Sequence, residues 1–237
     1  MSIEQKLSFY ATPPHSCNYL PGKNAITLFA DPRFQKNTRL YSALAECGFR
    51  RSGEHLYIPH CENCSSCVPV RIPVNEFVLS RTQKRNWKKN QDLIINRLEP
   101  VFNIEHFALY ENYLLSRHKG GGMDNPTQES YMQFLTANWA TTAFYEMRLR
   151  ETNSVIAVAI VDIMNNALSA VYTYFDPDYA QRSLGRFAVL LEIEEAKKQG
   201  LSWLYLGYWI KNCKKMSYKD EYQPLEYYRD SDWFRDA

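Results

Sequence analysis

No apolar run in this sequence is longer than the one from Val155 to Val161. A bilayer-spanning helix needs about 20 such residues, so none is expected. The first residues, Met1-Ser2-Ile3-Glu4-Gln5-Lys6, lack the apolar segment of a secretory leader, and the protein is expected to be cytoplasmic. No repeat of 20–50 residues is visible, and no stretch has the biased composition of a disordered or collagen-like chain. What is present is ordinary globular material. The 237 residues are 45% hydrophobic and 23% charged, enough for one large domain or two small ones. Aromatic residues make up 14%, which leaves rings to spare for a binding surface.

The net charge of +2 conceals an asymmetry. Residues 1–98 carry 14 Lys and Arg against 7 Asp and Glu, and residues 99–237 carry 14 against 19. A basic first part and an acidic second part point to a polyanion footprint on one side. The division is expected to follow that boundary, with a Cys-containing N-terminal domain (1–98) and a second domain (99–237). The sharpest basic feature is Arg81, Lys84, Arg85, Lys88 and Lys89, with Trp87 among them and only Asp92 nearby. Helical spacing puts Arg81, Lys84 or Arg85, and Lys88 on one face, either a solvated surface or a polyanion contact.

Local signals place helices over residues 39–47, 104–118, 127–139 and 187–199, and strands over 142–150, 155–162, 167–175 and 203–209. A hairpin is expected from Phe49 to Tyr57, turning at Ser52-Gly53. The stretch Pro59 to Pro73, with its three prolines, reads as a loop. The glycines of Gly120-Gly121-Gly122 form either a flexible connector or an anion-binding loop. Between the third strand and the last helix, Gln181-Arg182-Ser183-Leu184-Gly185-Arg186 sets backbone amides and two arginines at a helix N-terminus, which suits a phosphate-bearing ligand. The order strand, hairpin, strand, Gln181–Arg186, helix, strand is the one the N-acetyltransferase fold uses for a pyrophosphate-containing donor. An α/β protein (α+β) with an N-acetyltransferase-like C-terminal domain is therefore expected.

Several blocks, in order, carry a resemblance. They are Cys17-Asn18-Tyr19-Leu20-Pro21; Gly48 to Gly53 with Tyr57; Pro59-His60-Cys61-Glu62-Asn63-Cys64-Ser65-Ser66-Cys67 through Arg71; Arg117-His118 and Gly121-Gly122-Met123; Val171 to Pro177; and Leu206-Gly207-Tyr208-Trp209-Ile210 through Cys213, Lys215-Met216 and Tyr218-Lys219. With these the sequence resembles the bacterial branch of the arginyl-tRNA–protein transferase family, the aspartate/glutamate leucyltransferases. The resemblance implies transfer of leucine from leucyl-tRNA to the α-amine of proteins beginning with Asp or Glu, a tag for N-end rule degradation. The rivals are an acyl-coenzyme A-dependent N-acyltransferase and a zinc-containing RNA-binding module.

Within that reading, the basic helix (Arg81, Lys84, Arg85, Lys88, Lys89) and Gln181 to Arg186 would hold tRNA. Arg50, Arg51 and Arg71 are candidates for the acceptor's carboxylate, since Arg pairs bidentately with carboxylates. The ester is already activated, so no cofactor is required. A base is wanted near the central hairpin, where Asp162, Tyr174 and Asp176 stand. Cys61, Cys64 and Cys67 with Cys17 would make a thiolate set for Zn²⁺ or an iron–sulfur cluster, with His60 as an alternative ligand. Leu20 stands where a second knuckle cysteine would be, so free thiols are the other outcome. Cys47 and Cys213 are expected to be packed.

Overall fold

In the computed structural model the described residues are 6–117 and 125–235. The elements in chain order are β1 (Phe9–Ala11), β2 (His15–Ser16), β3 (Asn24–Ala25), β4 (Thr27–Ala30), α1 (Thr38–Glu46), β5 (Arg50–Ser52), β6 (His55–Pro59), β7 (Val68–Pro73), α2 (Arg81–Lys89) and β8 (Leu93–Leu98). They continue with α3 (Ile104–Arg117), α4 (Gln128–Leu135), β9 (Thr141–Leu149), β10 (Val155–Ile163), β11 (Ala167–Phe175), α5 (Leu184–Lys198), β12 (Trp203–Trp209), α6 (Lys214–Ser217), β13 (Glu226–Arg229) and β14 (Asp232–Phe234). Short 3₁₀ turns cover Pro177–Arg182 and Tyr218–Glu221. The class is mixed α/β, as expected.

An eight-stranded sheet, in the order β14-β13-β7-β12-β11-β10-β9-β8, is the spine. Strand β10 reads Val-Ile-Ala-Val-Ala-Ile-Val and is buried on both faces, the pattern of a strand covered on both sides. One face packs against α5 through Leu184, Phe187, Ala188, Leu191 and Ile193. The other face meets α3 and α4 through Leu109, Tyr110, Tyr131 and Leu135, and meets α1 through Tyr41 and Leu44. A smaller sheet, β1-β4-β6-β5, completes the N-terminal portion.

Two findings differ from the sequence expectation. The stretch Pro59 to Pro73 is not all loop, because β7 runs inside the large sheet between β12 and β13. Its prolines are tolerated because β13 pairs only with Val70 and Arg71, so neither Pro69 nor Pro73 must donate on that side. Strand β8 was also not anticipated; it pairs along β9 as an edge. Both strands come from the N-terminal 98 residues, so the expected division falls within one continuous sheet.

The helix starts follow local capping. Asn37 Oδ1 accepts the Leu40 amide at the start of α1, and Ser80 and Gln83 form a reciprocal capping box at α2. Helix α5 begins at Leu184, three residues before the expected start, because Leu184 is fully buried in the core.

The N-terminal portion is locked to the sheet by one buried ion pair. Arg51 Nε and Nη2 donate to Asp162 Oδ2 and Oδ1 at 2.5 and 2.8 Å, with both side chains fully buried. Tyr41 and Thr142 donate to the same carboxylate at 3.1 and 2.7 Å. Arg51 also donates to the carbonyls of Gly53 and Leu135. Removing one partner of such a pair strands the other charge, at a cost of about 3–5 kcal/mol. Asp162→Ala is therefore expected to lose about that much stability in urea titration; a loss under about 1 kcal/mol would mean the pair is not what joins the two parts.

Candidate active site

Strands β11 and β12 run parallel but pair only over Ala167–Ser169 and Trp203–Tyr205. Both continue beyond that point unpaired with each other. Each also carries a register fault there. The β10–β11 register skips Val171, and the β12–β7 register skips Leu206. Such bulges bend a strand and re-aim its side chains. The result is an opening in the middle of the large sheet.

Arg50, from β5, lies across this opening. Its Nη2 donates to the Ala170 carbonyl of β11 at 2.5 Å. Its guanidinium lies against Gly207 of β12, where a β-carbon would sit 3.4 Å from Nε. Gly207 has φ +81°, so both its conformation and its close approach call for glycine. The second terminal nitrogen, Nη1, is buried and has no partner.

Three groups complete the cluster. Glu192, from α5, is about 1% exposed, and neither carboxylate oxygen has a hydrogen-bond partner. Burial raises its carboxyl from near 4.5 to about 8, and the Arg50 charge partly offsets that rise. Lys219 is also buried and donates to the Tyr208 carbonyl at 2.7 Å. Burial, then the Arg50 charge, lowers its ammonium from 10.5 to about 7, against the opposing pull of Cys213 and Cys67. The Tyr208 hydroxyl bonds the Gly48 and Tyr57 carbonyls, tying β12 to the N-terminal portion. An unpartnered buried carboxylate costs several kcal/mol, and groups left so cluster at functional sites. The neighbourhood suits a ligand that brings both a cation and an anion.

The other expected site residues have different occupations. Asp162, expected as a base, has its oxygens taken by Arg51, Tyr41 and Thr142. Arg51 is committed to that pair and is not available to an acceptor. Arg71 is paired with Glu226 at 2.8 Å and sandwiched between Trp203 and Trp233 at 3.7 and 4.2 Å. Tyr174 is fully buried and shares a 2.7 Å hydrogen bond with Tyr131, and burial pushes its phenol far above the usual range. Asp176 caps the following turn by accepting the Asp178 amide. Arg50 is the expected acceptor residue that keeps an unpartnered donor.

Helix α2 exposes Arg81, Lys84, Arg85 and Lys88, and none of them enters a salt bridge among the described residues. It docks on the segment Gln181 to Arg186, placing the two expected tRNA elements side by side. Lys89 Nζ donates to the Gln181 carbonyl at 2.6 Å, and Asn86 and Asn90 donate to the Arg182 carbonyl. Arg182 forms a bidentate pair with Asp92, and Arg186 pairs with Glu221. Both arginines expected at a phosphate are thus already engaged by acids. Ser183 takes a left-handed conformation (φ 53°) between the turn and α5, while Leu184 and Gly185 open the helix.

The thiols of Cys17, Cys61, Cys64 and Cys213 lie near Cys67. Among the described residues no group of three or more His, Cys, Asp or Glu side chains is placed to hold a metal ion. Cys17 Sγ instead accepts the Tyr19 and Leu20 amides, Cys61 bonds the backbone of Ile26, and Cys64 lies 3.3 Å from Ser66 Oγ. Burial pushes the Cys67 thiol up to about 12, with Cys17, Cys61, Cys64 and Cys213 nearby adding to the rise. Cys213 is packed as expected, whereas Cys47 is exposed. Residues 118–124, which include the three consecutive glycines, lie outside the described residues.

The family model for the N terminus of arginine-tRNA-protein transferase matches residues 15–85, and that for its C terminus matches 105–229. The chain belongs to this family. Curated relatives named aspartate/glutamate leucyltransferase are 50% identical. That from Stutzerimonas stutzeri aligns over 98% of both chains, and that from Pseudomonas fluorescens over 96% of both. FemX superposes with a TM-score of 0.49 at 9% identity, over 81% of this chain and 65% of that one. Arg50 falls in the N-terminal family segment, and Glu192 and Lys219 in the C-terminal one, so the cluster is made where the two transferase segments meet.

Sequence reading missed Glu192 and Lys219. A signal for Glu192 was there: it stands three residues after Val189 and next to Ile193, an acid on the apolar face of α5. Its raised carboxyl gives a stability test. The folded state keeps the proton where the unfolded chain loses it, so this group's contribution is full below about pH 4.5 and is lost as pH climbs to about 8. Lys219 acts in the other window: its contribution is full above 10.5 and is lost as pH falls through about 7. Glu192→Gln should therefore gain on the unsubstituted protein between pH 5 and 8.5, by on the order of 4 kcal/mol in urea titration. A difference that does not change with pH would contradict the assigned environment.

Proposed function

We infer that this chain transfers leucine from leucyl-tRNA to the free α-amine of proteins that begin with Asp or Glu. The observation that carries this reading is the near full-length match to relatives named for that activity. Three features of the molecule support it. The exposed cations of α2 suit an RNA backbone, whose phosphates need neutralising. The opening between β11 and β12 lies beside α5, whose N-terminal segment carries the docked α2. Arg50 Nη1 is a buried donor awaiting an acceptor, the kind of group that takes a carboxylate.

Chemically the enzyme has little to supply beyond placement. The aminoacyl ester is activated, and holding amine and ester together is worth several kcal/mol. The amine attacks the ester carbonyl carbon, the new N–C bond forms, and the ribose oxygen departs with a proton. A leucine added to an acidic N-terminus would serve as a degradation tag. No helix among the described residues is long and apolar enough to cross a membrane.

Single-turnover transfer from labelled leucyl-tRNA and, separately, arginyl-tRNA to peptides beginning with Asp, Glu, Lys or Ala tests the reading. Leucine on the Asp and Glu peptides alone is expected; no transfer from either tRNA would overturn it. Replacing Lys84, Arg85 and Lys88 together by Gln should weaken tRNA binding and lower its salt slope by two to three. Unchanged affinity and slope would make α2 a solvated face.

A further inference from the structure

Glu192 is enclosed without any hydrogen bond to justify its place. It projects from the buried side of α5, and its two oxygens are unpartnered. The charged and titratable groups around it leave it unsatisfied. Arg50 faces it from β5 and spends one bond on Ala170. Tyr218 and Tyr222, from the chain following α6, and Tyr145, from β9, feel its charge. The Tyr222 hydroxyl donates to the Arg186 carbonyl. Lys219 gives its bond to Tyr208. Two buried groups of opposite charge type thus lie within electrostatic reach of each other, each with hydrogen-bonding capacity unused: Arg50 Nη1 and the Glu192 carboxylate.

An N-terminal Asp or Glu carries the complementary pair, a side-chain carboxylate and an α-ammonium a few bonds apart. We propose that Glu192 is the subsite for the acceptor's α-amino group, binding its ammonium while Arg50 holds the side-chain carboxylate, and that Glu192 takes the proton the nitrogen must lose before attack. This rests on the reading of the activity above. The proton balance is simple. The ammonium gives one proton to the carboxylate and becomes a free amine. The amine attacks the leucyl carbonyl carbon, and the ester C–O bond breaks. A second proton from nitrogen goes to the departing ribose oxygen, and Glu192 later releases the first to solvent. Discrimination follows from the same pair. An acceptor beginning with Asn or Gln leaves Arg50 unmatched, and one beginning with Lys sets a second cation against it. Segment Lys214–Glu221 is held to β12 by Lys219 to the Tyr208 carbonyl and by Trp209 to the Ser217 carbonyl, and it sets Tyr218 near Glu192, so access of the amine to Glu192 requires this segment to move.

The test is Glu192→Gln in the full chain, in single turnover with saturating leucyl-tRNA and a peptide beginning with Asp. The expected result is a transfer rate at least 100-fold lower at pH 6, a higher peptide KM, and a deficit that narrows towards pH 9 as the acceptor amine, which titrates at about 8, loses its proton unaided. tRNA affinity should be unchanged, and Glu192→Asp should recover part of the rate. A structural role would not move the pH profile. A Glu192→Gln rate within threefold of the unsubstituted enzyme, with the same pH profile, overturns the inference and leaves the assigned activity standing. Failure of the unsubstituted enzyme to transfer leucine overturns both.

Discussion

The buried pair between Arg51 and Asp162 is the constraint on which the arrangement depends. It joins β5 of the N-terminal portion to β10 at the centre of the large sheet. Tyr41 from α1, Thr142 from β9 and the end of α4 are drawn into the same network. With Arg51 fixed on both edges of its guanidinium, strand β5 has no freedom to slide. Neighbouring side chains on a strand point to opposite sides. The residue next to the clamp, Arg50, is therefore delivered to the gap between β11 and β12. One arginine holds the two parts together, and the other makes use of the position.

The gap itself arises from what the backbone does not do. Parallel strands β11 and β12 stop pairing after Ser169 and Tyr205, and each has a register fault just beyond. A continuous ladder would have sealed this place with carbonyls and amides. Instead, Ala170 offers its carbonyl to a side chain, and Gly207 allows a guanidinium to approach its backbone. Burying Glu192 and Lys219 next to this opening opposes folding, and the extensive core on both faces of the sheet outweighs that cost. A group such as Glu192, which weakens the folded state while making no internal bond, is where local rules give way to function.

Much of this was legible before any coordinates. The apolar strands expected between 142 and 175, the basic helix and the last central strand announce themselves by period and composition. So did the family, through motifs spread along the chain. Strand β7 was hidden because prolines ordinarily argue against a central strand, and only its pairing with β13 at two residues shows why they are tolerated. Asp162 looked like a base because an acid at the end of an apolar strand is unusual. Its partner stands 111 residues away in sequence, at a distance no local pattern reveals. Arg182 and Arg186 look free for phosphate in the sequence because their acids, Asp92 and Glu221, lie 90 and 35 residues away. Glu192 gives a weaker signal for the opposite reason: one acid within an apolar helix face also fits that helix's solvent edge.

The central claim is that Arg50 and Glu192 together receive the acidic N-terminal residue. The most direct measurement is a crystal structure of the full chain with a peptide beginning with Asp and an unreactive leucyl-adenosine analogue. The account places the peptide's side-chain carboxylate within hydrogen-bond distance of Arg50 Nη1 and its α-nitrogen against the Glu192 carboxylate. A peptide seated elsewhere, with Arg50 Nη1 and Glu192 still unpartnered, would contradict it.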